Sequence, residues 1–140
     1  MLEQDVILSK ISIIKKCLKT IASVKENAGK ELEGYLIDDI TVLNLQRAIQ
    51  AAIDTAHIII ADNGLELPAT YKQSFAILAK QKIIPHALAQ DLMKMVGFRN
   101  IAVHNYQQID TEILHSICIH HLKDLEDFYT RIFKLINDNR

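Results

Sequence analysis

The run Thr41-Val42-Leu43-Asn44-Leu45-Gln46-Arg47-Ala48-Ile49-Gln50-Ala51-Ala52-Ile53-Asp54-Thr55-Ala56-His57-Ile58-Ile59-Ile60 decides the fold of this chain. Within it Val42, Leu45, Ile49, Ala52, Ala56 and Ile59 recur at steps of three and four, which lines one side of an α-helix with apolar groups. The spacing predicts a long helix from near Asp38-Asp39, either of which can cap its start, to Ala61. Asp62-Asn63-Gly64 then opens a loop that reaches Pro68.

The same period extends in both directions. Upstream, Ile7, Ile11, Ile14, Leu18 and Ile21 form one stripe, predicting a helix from about Asp5 to Asn27 that Ala28-Gly29 ends. A helical turn over Glu31–Leu36 is weakly signalled. Downstream, a shorter helix is expected over Tyr71–Gln81 behind Thr70 as N-cap. Pro85 suits the first turn of a fourth helix, which carries Leu88, Leu92, Met95 and Phe98 towards His104. Gly97 within it permits a close backbone approach or a bend. Gln107–Asp110 reads as a break, after which Asp110 or Thr111 can cap a fifth helix with a later stripe of Leu125, Phe128, Ile132 and Leu135. There is no β-alternation, repeat, low-complexity stretch or linker. The expectation is all-α: an up-down helical bundle of four long helices plus short ones, one domain over residues 1–140.

Composition agrees. Of 140 residues 49% are apolar, enough for a core, and only two prolines and four glycines interrupt helix formation. Cys17 and Cys118 lie in apolar helical patterns without C-x-x-C spacing and read as buried thiols of a reducing compartment. The acidic start Met1-Leu2-Glu3-Gln4-Asp5 has no signal-peptide layout, and no apolar run approaches a membrane span. A soluble cytoplasmic protein is expected. The formal net charge is −1, whereas free-standing nucleic-acid binders are usually basic. A nucleic-acid substrate would therefore need a local basic patch or a groove between two copies.

The chemistry concentrates in Gly97-Phe98-Arg99-Asn100-Ile101-Ala102-Val103-His104-Asn105-Tyr106. Arginine can fork onto phosphate oxygens and stabilise developing charge. Histidine titrates near neutrality and can move a proton to or from a ribose oxygen. Tyrosine can bond phosphate or stack on a base, and Asn100 could orient His104 or the phosphate. These types suit phosphodiester cleavage without a metal. On an ideal helix Arg99 and Tyr106 share one line, while Arg99 and His104 stand roughly 140° apart. Arg99 and His104 meet only if Arg99 reaches round, the helix distorts, or a second subunit faces them. The plainer alternative is a solvated helix edge with His104 complementing the helix dipole.

Arg-x4-His-x-Tyr, here Arg99, His104 and Tyr106, resembles the signature of the HEPN superfamily. With Leu45-Gln46-Arg47-Ala48-Ile49-Gln50-Ala51-Ala52-Ile53-Asp54 before it, the chain resembles the HepT-like toxins of HepT–MNT toxin–antitoxin pairs over nearly its whole length. The resemblance implies a HEPN-like bundle and a metal-independent endoribonuclease, with Arg99 and His104 as the catalytic pair and Asn100 supporting them. Tyr106 would be the tyrosine that a partner nucleotidyltransferase antitoxin modifies with AMP to silence the toxin. It further implies RNA as substrate, no cofactor, and a homodimer whose two motifs face a shared cleft. The alternative is a non-catalytic binding subunit of a nucleotidyltransferase.

Other groups weigh less. Asp54-x-x-His57 and Glu112-x-x-His115 have the spacing used in di-metal bundles, but the first helix lacks a mid-length acid to complete such a site, so no metal site is expected. His120 and His121 point to different faces, and a solvated or capping role fits them. Lys15, Lys16, Lys19 and Lys25 suit a solvated face, with RNA contact as the alternative, Arg47 is a candidate to face the cleft or a dimer partner, and Asp91 and Lys94 suit a surface pair. There is no Gly-rich phosphate loop and no Ser nucleophile motif.

Overall fold

A computed structural model describes residues 2–27 and 33–138. Among them the chain is helical, without strands: α1 (Leu2–Glu26), α2 (Gly34–Asp62), α3 (Tyr71–Lys80), α4 (His86–His104), a 3-10 turn (Tyr106–Gln108), α5 (Thr111–His120) and α6 (Leu122–Asp138). The expected all-α bundle of four long helices plus short ones is the fold observed.

The long helix α2 is the central element. Val42, Leu45, Ile49, Ala52, Ala56 and Ile59 are all buried. Its small residues Ala48, Ala51, Ala52 and Ala56 let neighbouring helices approach closely. Buried Thr41, Thr55 and Asn44 satisfy themselves by donating to carbonyls four residues back, those of Ile37, Ala51 and Ile40. The predicted stripe of α1 is buried in full. Lys10 near the start of α1 pairs with Asp54 late in α2, whereas Ile21 and Lys25 share a cavity with Asp38 and Thr41. The two helices are therefore antiparallel. The other helices close over this pair: α3, α4 and α6 pack against α2, and α6 also lies on α1 and α4. Phe75 of α3 meets Phe128 of α6 edge to face at 5.7 Å.

Several expectations are corrected. The long helix begins at Gly34 rather than near Asp38, and neither aspartate caps it: the N-cap is Glu33, with no side-chain bond. Asp38 and Asp39 sit inside the helix and bond to distant residues instead. Pro85 takes extended backbone as the N-cap of α4, one place before the first turn. The single fifth helix is two, because the chain breaks at His121, where φ is −125° and ψ −5°. In α6 the last buried residue is Ile136, a step of four from Ile132, and Leu135 is half-buried. The predicted end of the first helix at Ala28-Gly29 lies outside the described residues, as do positions 31 and 32 of the weak turn. Thr70 caps as expected, accepting from Gln73 N, and of the two candidates Asp110 and Thr111 it is Asp110 that caps, accepting from Glu112 N and Ile113 N. Around Gly97 the helix runs unbroken, and a Cβ there would meet only Lys72, at 3.7 Å.

Candidate active site

The motif straddles the end of α4. Phe98 and Ala102 are buried on the core side, which turns Arg99, Asn100 and Val103 outwards or to the margin. Arg99 is half-buried. Its Nη1 donates to Asn100 Oδ1 at 3.1 Å, and its guanidinium lies 5.1 Å from the centre of the Tyr71 ring, reaching across to the start of α3. Its Nε is shielded from solvent and has no acceptor. An arginine offers five N–H donors, and only one hydrogen bond is made here. Tyr71 is in turn 5.6 Å from the His57 ring, and His57 Nε2 is hydrogen-bonded to the buried Ser74 Oγ at 2.7 Å. A tier of side chains from α2 and α3 thus lies behind the ring that Arg99 meets.

His104 is the last residue of α4 and is exposed. Its side chain makes no hydrogen bond or ion pair among the described residues, so its ring is available. The helix ends there because Asn105 leaves helical geometry, with φ −153° and ψ 57°. Tyr106 therefore does not continue the Arg99 line as an ideal helix would have it. It opens the 3-10 turn and swings to α2, where its hydroxyl donates to Asp39 Oδ1. That bond, partial desolvation and the negative charges of Asp39 and Asp38 push the phenol up to about 12. Next to it, Asp38 Oδ1 is bonded to His115 Nε2 of α5 at 3.0 Å. The motif is thus divided: Arg99 and Asn100 are tied to one another and to Tyr71, Tyr106 is tied to Asp39, and His104 stands between them in sequence with a free ring.

Two members of this neighbourhood escaped the sequence. Tyr71 carried no motif, and Asp39 was read as a helix cap. The pairing of Asp39 with Tyr106 spans 67 residues, which no local spacing can reveal.

Several of the other candidates are engaged elsewhere. Asp54 is held by Lys10 at 3.0 Å and Gln50 at 2.9 Å. Lys15 lies over the rings of Tyr129 and Phe133 of α6. Asp91 forms no ion pair with Lys94 and lies instead with His121 and Asp124, their donor atoms within 4.8 Å of one another. His121 is hydrogen-bonded to Asp124 at 2.9 Å, across the start of α6. Beside this group runs an apolar groove of about 360 Å³ between α4 and α5, lined by Phe98, Ile101, Ile109, Ile113 and Ile117 among others. No helix among the described residues is long and apolar enough to cross a membrane.

An all-helical bundle of this element order has the architecture of a HEPN protein, and the Arg-x4-His-x-Tyr stretch lies across the end of its fourth helix. The chain belongs to the ribonuclease HepT-like family, whose model matches residues 7–132, and its enzyme class is that of a ribonuclease. It is 40% identical over 124 residues to the mRNA nuclease HepT of Shewanella oneidensis, covering 89% of this chain and 93% of that protein. Its structure resembles that of a tri-AMPylated Shewanella oneidensis HEPN toxin in complex with MNT antitoxin, with a TM-score of 0.85 and 38% identity over 93% of this chain and 98% of that one. The fold alone is shared with the cytosolic protein YutE of Bacillus subtilis, at 18% identity and a TM-score of 0.84 over 97% of this chain and 92% of that one.

Proposed function

We propose that this protein is a metal-independent endoribonuclease toxin that works as a homodimer and is silenced by AMP addition to Tyr106 by a partner nucleotidyltransferase antitoxin. The observation that carries the reading is Arg99. A guanidinium clamped against Tyr71 and Asn100, with a shielded and unsatisfied Nε, is incomplete without an acceptor. Leaving such a donor unpaired costs about 1–3 kcal/mol, and a phosphate oxygen arriving beside Arg99 relieves it with a small rotation of the fork.

In the reaction, His104 takes the proton of a ribose 2′-hydroxyl as that oxygen attacks the adjacent phosphate. The bond to the 5′-oxygen then breaks, that oxygen takes a proton from solvent, and His104 releases the proton it took to solvent. Arg99 stabilises the negative charge that builds on the non-bridging phosphoryl oxygens, with Asn100 holding the guanidinium in place. Neither role needs a cofactor. The homodimer reading draws support from the apolar groove and from exposed Ile101 and Ile113 that line it, since an apolar patch beside a polar motif is suited to a second copy. Two facing motifs would also double the local positive charge, which a chain of net charge −1 needs in order to hold RNA. AMP on Tyr106 would place an anion where the RNA backbone has to lie. The relative in complex with MNT antitoxin supports a nucleotidyltransferase as the partner.

The test is cleavage of RNA by the purified protein in EDTA, compared with His104→Ala. Full activity of the wild type with a loss of about 100-fold or more in the variant is expected. Equal cleavage by both rejects the assignment of His104, and loss of wild-type activity in EDTA rejects metal independence.

A further inference from the structure

We propose that Asp39 is the general base for nucleotide addition at Tyr106: its carboxylate aims the phenol and takes its proton as the phenol oxygen attacks the α-phosphate of a nucleoside triphosphate. This rests on the reading of Tyr106 as the modified residue. The O–Pα bond to Tyr106 forms, the Pα–O bond to pyrophosphate breaks, pyrophosphate departs, and the phenol proton passes to Asp39 and then to solvent. The triphosphate is brought by the partner transferase.

The geometry points this way for three reasons. First, the helix break at Asn105 and the 3-10 turn carry Tyr106 off α4 and onto α2, where its hydroxyl donates directly to Asp39 Oδ1. The acceptor already touches the proton that has to leave. Second, Tyr106 remains 47% exposed, so a second protein can reach its oxygen while the bond to Asp39 is in place. Third, of the two adjacent carboxylates, Asp38 is engaged by His115, whereas Asp39 has Tyr106 as its partner.

Chemistry supplies the need for a base. The neighbourhood that lifts the phenol to about 12 leaves almost no phenolate at neutral pH. Attack by the neutral phenol gains acidity only as the P–O bond forms, so the proton has to be accepted during that step. A carboxylate already bonded to it does this without reorganisation.

The experiment uses the full chain, an MNT nucleotidyltransferase and ATP labelled on its α-phosphate, and measures the single-turnover rate of label entering the chain. Tyr106→Phe should take up none. Asp39→Asn keeps an acceptor oxygen but is not a base, and should be slowed about 100-fold or more. Asp39→Ala should be slowed similarly and partly restored by added formate, which can occupy the vacated place and accept the proton. Far-UV circular dichroism checks that both variants keep the helical fold. Labelling of Asp39→Asn at or above the wild-type rate overturns the proposal. Slowed variants with no restoration by formate reduce Asp39 to positioning Tyr106 and overturn the proton transfer. Failure of the wild type to be labelled at Tyr106 overturns the underlying reading itself, and is distinguished from the other outcomes by the wild-type control.

Discussion

Arg99 illustrates how much work a single side chain does through its neighbours. Its guanidinium lies over the Tyr71 ring and donates to Asn100. Lysine keeps the charge but neither stacks as a plane nor forks. Arg99→Lys is therefore expected to lower RNA cleavage nearly as far as Arg99→Ala, measured by gel-resolved cleavage, with far-UV circular dichroism checking that both variants keep the helical fold. Tyr106 makes a second prediction at this scale. Its pKa is raised to about 12 in the folded protein, against about 10 when unfolded. The bond to Asp39 thus contributes stability that is fully present below about pH 10. As pH rises towards 12 the unfolded chain loses the phenol proton first, and that stability disappears. Denaturant unfolding between pH 9 and 12 should show a steeper alkaline loss for the wild type than for Tyr106→Phe, and parallel curves would contradict the Asp39 bond.

Among the elements, α5 is the most dependent on its ends. It has ten residues, buries only Leu114 and Ile117, and is too short to hold its shape by propensity alone. Asp110 satisfies two of its free N–H groups, from Glu112 and Ile113. Asp110→Ala should cost about 1 kcal/mol, read as a shift in the midpoint of urea unfolding without a change in slope. Hydrogen exchange should localise the loss to α5 and the turn before it, which carries Tyr106. The end of α4 acts differently: its apolar stripe argues for continuation, yet Asn105 breaks the helix and hands Tyr106 to α2. A weak local preference at one residue is enough where the next side chain finds a hydrogen bond on another helix.

For the whole molecule, the core is a layer of α1 and α2 closed by α3, α4 and α6. Phe128 is fully buried and joins α6 to α3 through Phe75. Phe128→Ala should cost about 3–5 kcal/mol, a large part of the stability of a domain of this size. The proposed dimer belongs to this scale too. Ile113 is 53% exposed on the rim of the groove, so Ile113→Glu should leave the monomer folded. It should convert a dimer to a monomer in sedimentation and reduce RNA cleavage with it; an unchanged dimer would place the interface on another face.

The sequence by itself determined that the chain is helical, most of the buried stripes, the Thr70 cap and the position of the motif. All of these follow from contacts within about four residues, where a helix repeats its geometry and apolar spacing is visible. Only the tertiary structure decided what the motif residues meet. Asp38 and Asp39, chemically suited to cap a helix, lie within it because the helix starts earlier at Gly34, and they bond to His115 and Tyr106. Tyr71, unremarkable in the chain, becomes the platform under Arg99. The break of the last helical region at His121 was likewise hidden, since apolar steps on both sides of it keep the helical period. Such pairings join residues far apart in sequence, and their free energy comes from packing the bundle together, which no local pattern records.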